Sequence, residues 1–419
     1  MAKFLLETNS SFILLKLEDN DYVFYNSIRH IGCRLKYVEV KILDLLYTYK
    51  NADFIISNVS ENKRNIIKSA LDFIEAEGLL STEPLRYIDD DSNYYPLSYY
   101  LHLTYKCNLN CSYCYNREIR QECVSSELLL DEWKTIVDKI SPYAKEIVFT
   151  GGEFMLNKDC VEIAKYIKSN ISDVKLSCIS NGIHHLGDDN LHELFGYIDG
   201  ISLSCDSIER EGLRKGFKSD LFISNVKWIR QNYPHVNVAI SSVLTKQNEH
   251  DIVNTSQFCK NNQCSFDINI LAPENVTDVL NMPSLSQQEK MAINTEPSSY
   301  IKKLNMPKHR CGAGRNICSV DPMGNVYPCQ CLHYNEFLMG NLLRDNIEKI
   351  FGNDCFVKLM PSVDSIPVCS SCNVRYICGG GCLATGYKLN NNRLGRNHLA
   401  CHLNYLNSIE KLKRLNNRI

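Results

Sequence analysis

Three cysteines on one short loop, Cys107, Cys111 and Cys114, stand at C-x3-C-x2-C spacing. Three thiolates close together suit a four-iron cluster, and they leave one iron with an open position where a small molecule can bind and react. Cysteines scattered at random through a chain of this composition would give that spacing roughly 0.05 times, so chance is a poor account. A zinc site or a buried cysteine group is the competing reading. A second set follows residue 300: Cys311-x12-Gly324-x4-Cys329, then Cys369-x2-Cys372-x5-Cys378-x3-Cys382, then Cys401. The C-x2-C pair is also a zinc-knuckle element, so a pair of zinc sites competes with clusters there.

The tripod, with aromatic Tyr113 before its last cysteine, resembles the signature of the radical S-adenosylmethionine (SAM) superfamily. Further motifs fall in the family's order. Phe149-Thr150-Gly151-Gly152-Glu153 is similar to the GGE element, which implies that bare backbone at Gly151 and Gly152 and the Glu153 carboxylate receive the SAM amino group. Phe154 stands where the family carries proline. Ser180-Asn181-Gly182 and Ser204-Cys205-Asp206-Ser207 occupy positions that in the family approach the SAM ribose and methionine carboxylate, and Arg214 adds a charge-assisted contact.

The later cysteines resemble the seven-cysteine SPASM pattern, with Cys318 as an eighth thiolate. That resemblance implies two auxiliary clusters. The first takes Cys311, Cys318, Cys329 and Cys382, and the second takes Cys369, Cys372, Cys378 and Cys401. The expected cofactors are therefore SAM and three 4Fe-4S clusters. Cys33, Cys123, Cys160, Cys178, Cys205, Cys259, Cys264, Cys331 and Cys355 remain, most of them expected as buried hydrophobes.

The elements that must position these groups are legible as apolar periodicity. Six β-branched runs read as buried parallel strands: Tyr99–Tyr105, Glu146–Thr150, Val174–Ser180, Gly200–Cys205, Val236–Leu244 and Phe266–Leu271. Amphipathic stretches fall between them at Leu130–Ile140, Cys160–Ser169, Leu221–Gln231 and His250–Asn261. This α/β rhythm predicts an open partial (β/α)6 barrel over residues 96–300, with chemistry at the carboxyl ends of the strands.

Residues 1–90 alternate strands at Phe12–Leu17 and Asp21–Tyr25 with helices at Tyr37–Tyr49 and Glu61–Glu77, a winged-helix-like pattern. The acidic, turn-rich stretch Thr82–Pro96 reads as a linker. Residues 301–419 form short, glycine-punctuated pieces that need metal to hold them together.

The 419 residues balance 46 basic against 48 acidic side chains, which offers no broad attraction to nucleic acid or anionic membrane. Lys411, Lys413, Arg414 and Arg418 read as the solvated face of a last helix. Without a spanning or signal segment, the chain is expected in the cytoplasm, where twenty cysteines are ligands or buried hydrophobes rather than disulfides.

Radical SAM and SPASM resemblance implies an enzyme that modifies a ribosomally made precursor peptide, forming a carbon-carbon, thioether or ether crosslink. The N-terminal module resembles the precursor-recognition domain of such maturases, whose edge strand accepts a leader peptide. A flavodoxin or ferredoxin would supply electrons. An anaerobic sulfatase maturase is the competing enzyme reading; there an acidic base follows the cysteine of Tyr327-Pro328-Cys329, where this chain has Gln330. A non-catalytic iron-sulfur carrier would keep the auxiliary cysteines but would not need Glu153, Ser180 and Asn181.

Overall fold

Apolar runs too short for helices and flanked by turns set the architecture of this computed structural model. It describes residues 5–18, 20–83, 95–122, 127–186, 191–271, 278, 280–284, 311–352 and 360–415. Most of the expected linker, Cys123, Cys355 and Arg418 lie outside these residues.

Strands β1 (Phe12–Glu18), β2 (Asp21–Asn26) and β3 (Ile31–Leu35) form an antiparallel meander in that order. Helices α1 (Tyr37–Tyr49), α2 (Ala52–Ser57) and α3 (Arg64–Ala76) follow. β2 is buried along its whole length because both faces are covered. Tyr22 and Phe24 join Val40, Leu43, Ile55, Leu71 and Ile74 of the helices. Val23 and Tyr25 join Ile13 against Val374, Ile377, Leu412 and Leu415 from the far end of the chain.

The catalytic-type layer begins with β4 (Ser98–Thr104), the two-residue β5 (Asn110–Cys111), and helices α4 (Arg117–Glu122) and α5 (Leu130–Ile140). Then come β6 (Glu146–Gly151), α6 (Cys160–Asn170), β7 (Lys175–Ser180), α7 (Leu191–Leu194), β8 (Gly200–Ser204) and β9 (Arg214–Lys215). The run closes with α8 (Ser219–Asn232), β10 (Asn237–Leu244), α9 (Ile252–Asn261) and β11 (Ser265–Ile270). Strands β4, β6, β7, β8, β10 and β11 are consecutive parallel neighbours. Their bounds match the six expected runs to within one residue.

Trp133, Ile136, Val137 and Ile140 recur at helical spacing and bury one face of α5. β12 (Ile317–Val320) adds a parallel strand at the free edge of β4, and β13 (Asn325–Tyr327) and β14 (Gly340–Asn341) continue antiparallel.

Contacts divide the chain into two compact units. One is Met1–Asp90 with Gln288–Cys311 and Pro361–Ile419; the other is Asp91–Gln287 with Gly312–Met360. The stretch expected as one C-terminal domain, 301–419, is therefore shared out. Its strands β12–β14 complete the large sheet, while the helix Cys401–Lys413 belongs with the N-terminal meander through Leu412. No helix among the described residues is long and apolar enough to cross a membrane.

Candidate functional site

The carboxyl end of β4 runs straight into the loop 107–114, and a miniature ladder fixes that loop. Asn110 pairs with Lys215 and Cys111 with Arg214, while Ser112 N–H donates to Leu213 O at 3.0 Å. Arg120 on α4 donates through Nη2 to Leu109 O at 3.1 Å, and its Nη1 lies 3.9 Å from Cys114 Sγ. Leu109 N–H donates to Cys107 Sγ at 3.4 Å. Burial raises the pKa of Cys107 and Cys111, the latter to about 11; Cys114 raises both further, and Cys107 raises Cys111.

Thiolates that repel one another on a single loop are stabilised when a metal centre takes them up, so this donor set fits a cluster tripod. Among the described residues no three of His, Cys, Asp or Glu are grouped to hold one ion. Cluster thiolates each take a different iron and stand further apart than the ligands of one zinc.

The glycine pair after β6 is required by the chain itself. Gly151 has φ +135°, and a Cβ there would meet Thr104 O at 2.2 Å; a Cβ on Gly152 would meet Lys106 O at 2.2 Å. Gly152 N–H and Glu153 N–H donate to Thr104 O and Lys106 O at 2.8 and 2.7 Å. The bare backbone that the sequence suggests is for a ligand is here pressed against the start of the tripod loop.

Glu153 is buried, and its carboxylate accepts from Ser180 Oγ at 3.0 Å and from Asn181 N–H at 2.8 Å. Burial pushes its pKa up to about 7, against the lowering effect of those donors and of Arg214. Ser180 and Asn181, expected to face a ligand, thus position Glu153. Asn181 also donates through Nδ2 to Asn108 Oδ1 at 2.7 Å, which ties the end of β7 to the tripod loop.

Tyr113 donates its hydroxyl to Asp206 Oδ2 and accepts from Arg214 Nη1 at 3.1 Å. Asp206 is held by Val243 N–H at 3.0 Å. Arg214 is buried and its Nε has no hydrogen-bond partner. An orphaned buried donor beside the tripod fits an anionic group such as a carboxylate. Ser204 ends β8 opposite Ser241 and is joined to the site through the segment that carries Asp206. Asn108 and Arg120 were not picked out as site residues from sequence; the only signal was their place inside or just after the tripod motif.

At the other end of the chain, Cys369, Cys372, Cys378 and Cys401 line one cavity of about 100 Å³. Gly379, Gly380 and Gly381 all take positive φ, at 66°, 75° and 74°. That left-handed run lets the N–H groups of Gly380 and Gly381 reach the Cys378 sulfur; burial raises this thiol, those donors lower it, and Cys372 and Cys401 raise it. Four thiols around one cavity fit a fully thiolate-ligated cluster.

The other expected quartet is less uniform. Cys311 and Cys382 are exposed and Cys329 is half-buried. Cys318, expected as the eighth ligand, is the most buried of the four. It sits on β12 in register with Tyr99, and burial raises its thiol. Its neighbour Ser319 faces the opposite way, toward His333. Of the cysteines expected as buried hydrophobes, Cys33, Cys160, Cys178, Cys205 and Cys259 are buried, whereas Cys264 and Cys331 are half-buried.

Residues 101–259 match the family model of the radical SAM superfamily, and residues 311–373 match SPASM, an iron-sulfur cluster-binding domain. Mycofactocin maturase MftC of Mycolicibacterium smegmatis is 25% identical over 311 residues, covering 68% of this chain and 77% of that one. The PqqA peptide cyclase of Bradyrhizobium diazoefficiens is 25% identical over 330 residues, covering 70% and 83%. Streptococcus suis SuiB bound to its precursor peptide SuiA superposes with TM-score 0.56 at 16% identity, over 94% of this chain and 99% of SuiB, which establishes likeness of fold.

Proposed function

As a radical SAM protein with a SPASM iron-sulfur domain, the chain carries the parts of a SAM-cleaving enzyme, and we propose that it modifies a ribosomally made precursor peptide. The observation that carries this reading is the convergence of the tripod thiols, buried Glu153 and the open donor of Arg214 at the carboxyl ends of β4, β6 and β7. Relatives named mycofactocin maturase and PqqA peptide cyclase match over two thirds of the chain and support this reading, beside one named AdoMet-dependent heme synthase.

In this reading Cys107, Cys111 and Cys114 hold a 4Fe-4S cluster with one open iron. A cluster and SAM bound there supply reductive sulfonium cleavage and a 5'-deoxyadenosyl radical that takes hydrogen from a substrate C–H bond. The chain's own residues bind and orient. Glu153 accepts the SAM ammonium, Ser180 and Asn181 hold that carboxylate in place, and Arg214 offers Nε–H to the methionine carboxylate. Gly151, Gly152 and Ser204 shape the strand ends around it, and Tyr113 keeps Arg214 in position.

Two auxiliary clusters complete the proposed set of three: one on Cys369, Cys372, Cys378 and Cys401, and the other, by the SPASM pattern, on Cys311, Cys318, Cys329 and Cys382. The product is an intramolecular crosslink. β3 is one of the two edges of the N-terminal sheet and is the proposed seat of the leader, added as a further strand. A flavodoxin or ferredoxin is the proposed electron donor, consistent with a cytoplasmic protein.

Co-expression with short peptides encoded beside the gene, followed by mass spectrometry, tests the substrate. The expected result is a loss of two hydrogens confined to one peptide. Peptides of unchanged mass alongside conversion of a sulfatase cysteine to formylglycine would replace this reading with the sulfatase one.

A further inference from the structure

Arginine is always charged and forms strong hydrogen bonds to anionic acceptors, so its partner in a metal-binding region is informative. Arg396 lines the cavity of Cys369, Cys372, Cys378 and Cys401, and its Nη1 donates to Cys401 Sγ at 3.2 Å. Among the described residues no carboxylate pairs with Arg396. The second arginine of the cavity, Arg375, is different: Asp364 Oδ1 accepts from its Nε at 3.1 Å, and Cys372 O accepts from its Nη1 at 3.1 Å. Its charge is thus offset, and of the two arginines lining this cavity only Arg396 brings an unbalanced cation to a cysteine sulfur.

The local chain is built to keep Arg396 there. Gly386 on the helix Leu383–Asn390 and Gly395 touch backbone to backbone, so closely that a Cβ on either would lie 2.5 or 2.6 Å from the other's carbonyl oxygen. Asn390 Nδ2 donates to Arg396 O at 2.9 Å. On the other side, buried Asn397 accepts the N–H groups of Leu399 and Ala400 at 3.1 Å and leads into the helix that begins at Cys401. The backbone is fixed on both sides of the guanidinium.

We propose that Arg396 is a positioning residue that raises the reduction potential of the metal centre held by these four cysteines, through its charge-assisted hydrogen bond to Cys401 Sγ. This rests on the cluster reading of the cavity. Adding an electron to a thiolate-ligated cluster adds one negative charge, and a fixed cation donating to a ligand sulfur stabilises that reduced state. The two glycine N–H groups on Cys378 act in the same direction.

The test uses full-length protein reconstituted anaerobically with iron and sulfide, with iron content measured beside an EPR-monitored redox titration. The signal of this centre is the one lost in Cys369→Ala/Cys372→Ala. In Arg396→Gln the iron content should stay at the wild-type level while the midpoint of that signal moves to more negative potential; Arg396→Lys should restore part of the shift. An unmoved midpoint with full iron overturns the proposal. Loss of this centre's iron in both Arg396 variants also overturns it, because the residue then serves assembly. Should Cys369→Ala/Cys372→Ala leave iron content unchanged, the failure is of the underlying cluster reading.

Discussion

At the scale of single residues, Glu153 shows how burial and hydrogen bonding pull in opposite directions. Its carboxyl pKa is pushed up to about 7 from 4.5 by burial, so the folded protein loses stability as pH rises through that window, where the unfolded carboxylate is already charged. A bound ammonium reverses the balance. Glu153→Gln should weaken SAM binding roughly 10- to 100-fold by calorimetry, with thermal stability changed little; unaltered affinity would contradict the assignment.

His102 titrates with the opposite sign. It is fully buried on β4, neither ring nitrogen has a hydrogen-bond partner, and its ring lies 4.4 Å from that of His333. Burial lowers its pKa to about 3 from 6.5. Below about pH 6.5 the unfolded imidazole binds a proton that the folded one refuses, so stability falls on acidification at up to roughly 1.4 kcal/mol per pH unit. Urea unfolding of wild type and His102→Leu at pH 7 and pH 5 should show a smaller acid loss in the variant; equal losses would mean His102 is not the group responsible.

The cysteines mark how far residue types can be read from spacing. Resemblance to the SPASM pattern grouped Cys369, Cys372, Cys378 and Cys401, and the four line one cavity. The same pattern assigned Cys318, and a count of intervening residues does not say that its side chain is buried on β12. Cys178→Ala, at a buried thiol outside every expected ligand set, should retain the full iron content and cost about 1–2 kcal/mol of stability, whereas Cys378→Ala should lose about four irons per chain. Colorimetric iron analysis separates the two outcomes. Arg396 and Asn108 belong to no spacing rule, and only the fold brings them to their partners.

At the scale of elements, the six parallel strands were legible as short β-branched runs between turns, even though β7 and β10 alternate buried and partly exposed residues and β11 at the edge is largely exposed. β3 and α2 were missed for local reasons. Ile31–Leu35 contains glycine and arginine, and Ala52–Ser57 is too short to show helical periodicity. β12 to β14 are two to four residues long, and their pairing depends on long-range contacts with β4. The joint between β6 and the tripod loop is the most constrained of these connections. Gly152→Ala should push the backbone at Lys106 out of place, lowering both iron uptake and SAM cleavage by at least 10-fold in matched assays; wild-type values for both would show that the loop tolerates the displacement.

For the whole molecule, linear order and compact organisation differ. The sequence suggested three domains in succession, yet the N-terminal meander shares a compact unit with residues 361–419. The cause is visible in β2, whose alternate side chains Val23 and Tyr25 are as apolar as Tyr22 and Phe24 and need a second partner. Val374 and Ile377 provide it, with half-buried Cys372 and Cys378 packed against the same cluster. The module proposed to hold a leader is thereby built onto the segment proposed to hold a cluster.

The claim on which all of this depends is that the 107–114 loop carries iron with room for SAM. Anaerobically reconstituted, dithionite-reduced protein incubated with SAM and analysed by chromatography tests it directly. The account predicts 5'-deoxyadenosine and methionine from wild type and none when Cys107, Cys111 and Cys114 are replaced together by alanine. Cleavage that survives this replacement, or a wild-type protein that carries a full complement of iron and yields no 5'-deoxyadenosine, would contradict it.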